Sequence, residues 1–348
     1  MILVTGGTGL VGSHLLWELL QRNENQVRAI FRTEKSKTAV LDLFRWKVEL
    51  NKSSTAAEDF YNRIEWIKAD VNNIPQLTLA FKNVTYVYHS AALISFNPKR
   101  FAELQKINIE GTANMVNLSI SNQVKKFCMV SSVAALGSTE NGLPVTEETH
   151  WDVNKDNSVY SVVKYASEME VWRATQEGLE AIIVNPGIIL GEGFYSSGSG
   201  RFFKQIDKGL KYTVPGSTGF VDVLDVVRSM IELMKSPTKN ERFILVGANE
   251  KFKDVFFEIA DKLNASKPTK MVKPWQLSLA WRLDWLISKL TGKRRSIYKS
   301  TANFSLSDVS YDANKLKTNL DFNFTSINET INRVGMHSNK SKANRLNR

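Results

Sequence analysis

The stretch Val4–Leu15, VTGGTGLVGSHL, restricts what this chain can fold into more than any other. The apolar run ILV that leads into it has strand character, and LVGSHLLWELLQR carries a helical pattern. Gly6, Gly9 and Gly12 follow the spacing G-x-x-G-x-x-G across that strand-to-helix turn. A side chain at the first turn would hold the backbone away from a pyrophosphate, whereas glycine permits a tight turn with the helix amino end facing the charge. The position of the glycines, and not the triplet alone, predicts dinucleotide binding over Gly6, Thr8, Gly9, Leu10, Val11 and Gly12.

The rest of the first half alternates in the same way. QVRAIF, IEWIKAD, VTYVYHS, KKFCMVSS and AIIVNP read as strands, separated by helical segments and by a polar, helix-like insertion over about 34–63. Such alternation predicts an α/β fold, a Rossmann-type doubly wound parallel sheet. At 348 residues the chain exceeds what one core usually holds, so a smaller, discontinuous C-terminal substrate lobe is expected. The expected division is 1–186 plus about 219–250 for the nucleotide-binding domain, and about 187–218 plus 251–336 for the substrate lobe. Residues 337–348, MHSNKSKANRLNR from Met336 onward, are polar and basic and are expected to be a disordered tail.

The net charge of +11 is concentrated in the segment 267–300 and in that tail, which together account for all of it. The remainder is close to neutral, which argues against nucleic-acid binding. The single cysteine, Cys128, excludes an internal disulfide and fits a reducing, cytoplasmic setting. Met1 leads straight into ILV, so no secretory leader is expected. No stretch reaches the roughly 20 apolar residues that cross a bilayer, and no metal-ligand set is assigned.

The second strand bears on which dinucleotide is held. An NAD site usually carries Asp or Glu about 20 residues after the glycines, while Arg suits a 2′-phosphate. Here the strand ends in Phe31 and Arg32, so NADP is the expected cofactor, with NAD less favoured and kept open by Glu34. Asp70 and Val71, after the third strand, are expected beside the adenine, although Asp70 has an alternative as a helix cap.

YSVVK places Tyr160 and Lys164 four residues apart, hence on one face of a helix. An ammonium beside a phenol lowers the phenol's pKa and suits it to proton transfer. Ser131 and Ser132 end a predicted strand, where a hydroxyl can bond a reacting carbonyl oxygen. YDANK repeats the spacing at Tyr311 and Lys315, but after the sheet pattern has ended, and reads as a helix start with Asp312 at its amino end.

Taken together, these motifs resemble the extended short-chain dehydrogenase/reductases, and closest in look the dihydroflavonol reductase-like group. The likeness covers about residues 1–335. TGGTGLVG is similar to that family's glycine motif, HSAAL (His89–Leu93) to its fourth-strand element, NIEGT (Asn108–Thr112) to its N-x-x-G-T helix, and NPGIILG (Asn185–Gly191) to its segment against the nicotinamide. FVDVLDVV resembles an element near the substrate lobe. The resemblance implies cofactor contacts at Ser90, Ala91, Ala92, Asn108, Lys164, Pro186, Gly187 and Ile189. It also implies Tyr160 as proton donor or acceptor, Lys164 tuning it, Ser132 rather than Ser131 polarising the carbonyl, and a homodimer. Three functions follow: an NADPH-dependent carbonyl reductase, an NAD-dependent sugar-nucleotide epimerase, or a non-catalytic dinucleotide-binding protein. The first is preferred, because no acid ends the second strand and the Tyr160/Lys164 pair is kept; Val133 and Ala134, where related dehydratases carry an acid pair, count against dehydration.

Two late segments stay open. EGFYSSGSGRFFKQIDKG offers Tyr195, Arg201 and Phe202 as substrate contacts. PWQLSLAWRLDWLISKLTGKRR has three tryptophans and one narrow polar stripe, Ser278, Arg282 and Lys289. It reads as a helix over the active site or as a peripheral membrane contact.

Overall fold

The structure, a computed structural model, describes residues 1–24, 26–139, 142–291, 295 and 297–346. Its strands in chain order are β1 (Ile2–Thr5), β2 (Val27–Phe31), β3 (Ile64–Lys68), β4 (Tyr86–His89), β5 (Lys126–Val130), β6 (Ala181–Pro186), β7 (Ile188–Leu190), β8 (Tyr212–Thr213), β9 (Ser217–Asp222), β10 (Glu241–Leu245), β11 (Ala248–Lys251) and β12 (Lys270–Met271). Seven of them form one sheet in the order β10-β6-β5-β4-β1-β2-β3, every pair parallel. The chain runs outward through β2 and β3, then returns to β4 on the other side of β1. That reversal opens a crevice at the carboxyl ends of β1 and β4.

Successive strand residues point to opposite faces, and the core divides accordingly. Leu3, Val87, Phe127, Met129 and Ile183 pack against Met115, Val116 and Val171 from the helices Gly111–Ser121 and Val159–Gln176. Val4, Tyr88, Cys128, Ile182 and Val184 pack against Leu16, Leu20, Val227 and Met230 from the helices Leu10–Gln21 and Val223–Lys235. Strands covered on both faces need apolar residues at consecutive positions, which is why β2, β5 and β6 read as unbroken runs.

A smaller sheet, β11-β9-β7, carries the helices Gly200–Asp207, Phe252–Leu263 and Ile327–Leu346 around Leu190, Phe203, Phe220, Ile259 and Val334. Buried charge ties this lobe to the large one. Glu192 pairs with Lys47 at 2.6 Å and with Arg333 at 3.2 Å, and Arg333 pairs with Asp222 at 2.6 Å.

The disordered tail expected from 337 onward is not what the described residues form. The helix Ile327–Leu346 runs through it. His337 is buried with its ring 5.0 Å from that of Trp46, while Lys340 and Lys342 pair with Glu49 and Asp207. Polar composition hid a segment whose polar groups have partners on both lobes. YDANK is a helix start with Asp312 at its amino end, as its sequence reads. Tyr311 forms a bridge with Val145 before the helix Asn314–Leu320 begins, Asp312 accepts from the Asn314 N–H at 2.8 Å, and Lys315 turns to Glu241.

Candidate active site

The glycine turn is sterically committed. Gly6 has φ +67°, and a Cβ there would lie 2.7 Å from the Ser90–Ala91 backbone; at Gly12 it would lie 2.2 Å from the Gly6 carbonyl oxygen. The Gly9 N–H closes the turn on that oxygen at 2.9 Å. Gly9 caps the following helix with no side-chain hydrogen bond, so the first N–H groups, from Leu10 and Val11, gain no side-chain acceptor from the cap, and Thr8, Gly9, Leu10 and Val11 are half-buried around it. A cradle that closes on any added side chain while leaving helix N–H groups free fits a dinucleotide pyrophosphate.

Around it, Ser90 Oγ donates to the Thr5 carbonyl at 2.7 Å and the Ala91 N–H donates to Thr5 Oγ1 at 3.2 Å, which stitches the ends of β1 and β4. Asn108 is buried and clamps the segment after β4, accepting from the Leu93 N–H at 2.7 Å and donating to its carbonyl at 2.9 Å. Asn108 sits in a π-helical turn, Gln105–Glu110, and its own carbonyl accepts from Ser167 Oγ at 2.9 Å. Ala92 is exposed beyond the clamp.

At the end of β2, Phe31 is buried, Arg32 is exposed, and Glu34 is paired with Lys37 at 2.7 Å. Asp70 Oδ1 accepts from the Asn72 N–H at 2.9 Å, and Val71 packs where a Cβ on Gly111 would touch it. Pro186 is buried, while Gly187 and Ile189 are half-buried, Gly187 passing so close to the Gly219 carbonyl that a Cβ would lie 2.4 Å from it.

Ser132 follows β5, and Tyr160 and Lys164 descend from the start of the Val159–Gln176 helix, which Ser158 caps by accepting from the Ser161 N–H at 3.0 Å. The structure brings all three together. Burial pushes the Tyr160 phenol up to about 12, and a hydrogen bond with Ser132 opposes that shift. Burial also lowers Lys164 to about 8 against the pull of Glu168. Lys164 Nζ donates to the Val130 carbonyl at 2.9 Å, so here Ser132, and not Lys164 as expected, is the group that lowers the phenol. The Phe96 ring lies 5.3 Å from that of Tyr160 and closes one side of the site.

A fourth layer lies behind. Glu168, fully buried one turn past Lys164, accepts from Asn185 Nδ2 at 2.6 Å; the same amide reaches the Ser132 carbonyl at 2.9 Å. Burial raises the Glu168 carboxyl, with the hydrogen bond from Asn185 opposing. Tyr160, Lys164 and Glu168 repeat at four-residue spacing, so the sequence did carry a signal for the third member. Phe96 left none.

The expected substrate contacts lie elsewhere. Tyr195 donates its hydroxyl to the Val334 carbonyl at 2.9 Å and meets His337 Nδ1 at 2.9 Å. Phe202 packs on Phe252 and Phe256. Both aromatics serve the small lobe's own core, and Arg201 is exposed beside them.

Residues 2–247 match the model of the NAD dependent epimerase/dehydratase family. The chain is 30% identical to sterol demethylase protein B of Methylococcus capsulatus over 70% of its own length and 69% of that protein's. It is 28% identical to cinnamoyl-CoA reductase 1 of Oryza sativa over 71% of each. In fold it is similar to the UDP-glucose 4-epimerase of Thermotoga maritima crystallised with UDP-glucose, at TM-score 0.74 and 21% identity over 98% of this chain and 99% of the other. The chain belongs to the NAD-dependent epimerase/dehydratase family, the extended type of short-chain dehydrogenase/reductase.

Proposed function

We propose that the protein is an NADPH-dependent reductase of a ketone or aldehyde, working in reverse on the alcohol. The observation that carries this reading is the convergence of Ser132, Tyr160 and Lys164 at the carboxyl edge of the sheet, beside a glycine turn shaped for pyrophosphate. Gly6, Thr8, Gly9, Leu10, Val11 and Gly12 would hold the pyrophosphate, Asp70 and Val71 the adenine side, Ser90, Ala91, Ala92 and Asn108 the middle, and Lys164, Pro186, Gly187 and Ile189 the nicotinamide half. When bound, the nicotinamide supplies the hydride.

The protein's part is oxygen chemistry. Ser132 Oγ donates a hydrogen bond to the substrate carbonyl oxygen and polarises it. Tyr160 Oη gives its proton to that oxygen as negative charge develops there. An alkoxide is a stronger base than a phenolate, so the transfer runs downhill even from a phenol at about 12. Lys164, whose ammonium donates to the Val130 carbonyl, would hold the nicotinamide ribose, and Ser132 is the group that lowers the phenol.

Two features favour reduction with NADPH over epimerisation of a sugar nucleotide with NAD. Phe31 and Arg32, not an acid, end β2. Glu34 is engaged with Lys37. Val133 and Ala134, where related dehydratases carry an acid pair, count separately against dehydration. The relative named as a cinnamoyl-CoA reductase is consistent with the same chemistry.

The test compares NADPH and NADH binding by nicotinamide fluorescence, followed by a panel of ketones, aldehydes and nucleotide sugars. A 2′-phosphate on Arg32 should favour NADPH by about 10- to 100-fold, the value of one charge-assisted hydrogen bond. NADH bound equally or more tightly, with turnover only of nucleotide sugars, overturns the reading in favour of an epimerase.

A further inference from the structure

The helix Pro274–Thr291 has one buried residue, Leu277. Trp275, Leu279, Leu283, Leu286 and Leu290 are all exposed on it, Leu290 to 76% and Trp275 to 62%. Their intervals of four, four, three and four confine them to an arc of about 80° on a 3.6-residue helix. Leu277 and Asp284 lie on the opposite side. There, Arg295 reaches Asp284 Oδ2 at 3.7 Å and the Trp281 carbonyl at 3.3 Å, and the Lys299–Leu306 helix packs against this one. The apolar stripe therefore faces outward from a helix that the protein holds by its other side. Five large apolar side chains in one exposed row are not the solvent face of an ordinary surface helix.

The charges beside the stripe say what fits it. Arg282 and Lys289 border one edge, and Lys270 and Lys273 precede the helix. Lys270, Arg282 and Lys289 lie over the rings of Tyr212, Trp281 and Trp285, at 5.8, 4.7 and 5.3 Å, rather than against carboxylates among the described residues. The segment 267–300 holds nine basic residues and a single acid, Asp284, on the inner side. No described helix is long and apolar enough to cross a membrane. A row of leucines with exposed tryptophans and bordering cations suits a helix lying in the plane of an anionic lipid surface.

We propose that the helix Pro274–Thr291 docks this protein onto an anionic membrane surface, with Trp275, Leu279, Leu283, Leu286 and Leu290 entering the headgroup region and Arg282 and Lys289 meeting lipid phosphates. The next helix places this surface at the rim of the site. Lys299 pairs with Asp156 at 2.8 Å, just before the Tyr160 helix, and Tyr298 feels the charge of Arg100, at the end of the segment that carries Phe96. Docking itself does not depend on the reaction proposed above.

The experiment is co-sedimentation of the full chain with vesicles of phosphatidylcholine, with and without phosphatidylglycerol, at low and high salt. The protein pellets with the anionic vesicles at low salt, its tryptophan emission shifts to the blue, and both effects weaken as salt rises. Arg282→Gln with Lys289→Gln weakens binding roughly 25-fold, from about a factor of five per basic residue. Leu283→Glu with Leu286→Glu abolishes it. Both positions of that second variant are exposed, so its thermal midpoint should stay near the parent's and separate lost docking from lost folding. Absence of sedimentation with anionic vesicles at low salt overturns the proposal. So does a Leu283→Glu, Leu286→Glu variant that still binds. A dimer in ultracentrifugation that the same variant dissolves also overturns it, because the stripe is then covered by a second copy.

Discussion

Asn185 Nδ2 donates to Glu168 at 2.6 Å and to the Ser132 carbonyl at 2.9 Å, so one buried amide couples the helix that carries Tyr160 and Lys164 to the strand end that carries Ser132. Removing one partner would leave a buried polar group unsatisfied, which costs more than the bond itself contributes. Asn185→Leu should therefore lower kcat by about tenfold or more while changing NADPH affinity little, since Asn185 lies behind Ser132 and not in the phosphate cradle. Steady-state kinetics with fluorescence titration of the cofactor checks this. A loss of affinity equal to the loss of kcat would mean that the amide only supports the fold.

Lys164 sets a pH limb. Burial lowers it to about 8, so it is an ammonium below that pH and neutral above it. Tyr160, at about 12, keeps its proton throughout this range. Carbonyl reduction should fall as pH rises through about 8, although the general acid remains protonated. Lys164→Arg removes the titrating group, because guanidinium stays charged. If that variant is active, its limb should move above pH 10; an unchanged limb would assign the titration to another group.

Gly12→Ala tests the cradle. The new Cβ would sit 2.2 Å from a backbone oxygen, so the turn must shift. Overpacking of this kind costs about 1–3 kcal/mol. The sharper readout is the cofactor: saturating NADPH should raise the parent's thermal midpoint and leave the variant's nearly unmoved.

Much of this was legible in the chain because the determinants are local. A glycine turn declares itself by steric need, and a parallel strand covered on both faces declares itself as an apolar run. Tyr160, Lys164 and Ser132 sit at element ends, where spacing maps onto direction. Tyr195 and Phe202 were misplaced because an aromatic in a loop looks the same whether it faces a substrate or its own lobe's core. The helix through His337 was missed for a related reason. Its polar groups have partners on segments distant in sequence, Glu49 and Asp207 among them.

The junction between the lobes makes stability depend on pH. Burial pushes Glu192 up, but Lys47, His14 and Arg333 outweigh it and hold the carboxyl well below its usual range. Burial lowers His337 to about 4. The unfolded chain protonates this histidine near 6.5 while the folded chain does not until about 4, so stability falls as pH drops across that window. Glu192 adds its loss only below about 4.5. His337→Gln should flatten the decline between pH 6.5 and 4.5 in denaturant titrations. Arg333→Met should cost about 3–5 kcal/mol at neutral pH, because it leaves Asp222 and Glu192 with less compensating charge.

Tyr160→Phe isolates the proton-transfer role of the phenol. It removes one oxygen from a residue that is 9% exposed and leaves the cofactor cradle intact. With an active carbonyl substrate from the panel and NADPH, turnover should fall by at least about 100-fold, the scale of one positioned general acid, while NADPH affinity stays within a factor of about two. Turnover equal to the parent's would show that Tyr160 is not the proton donor.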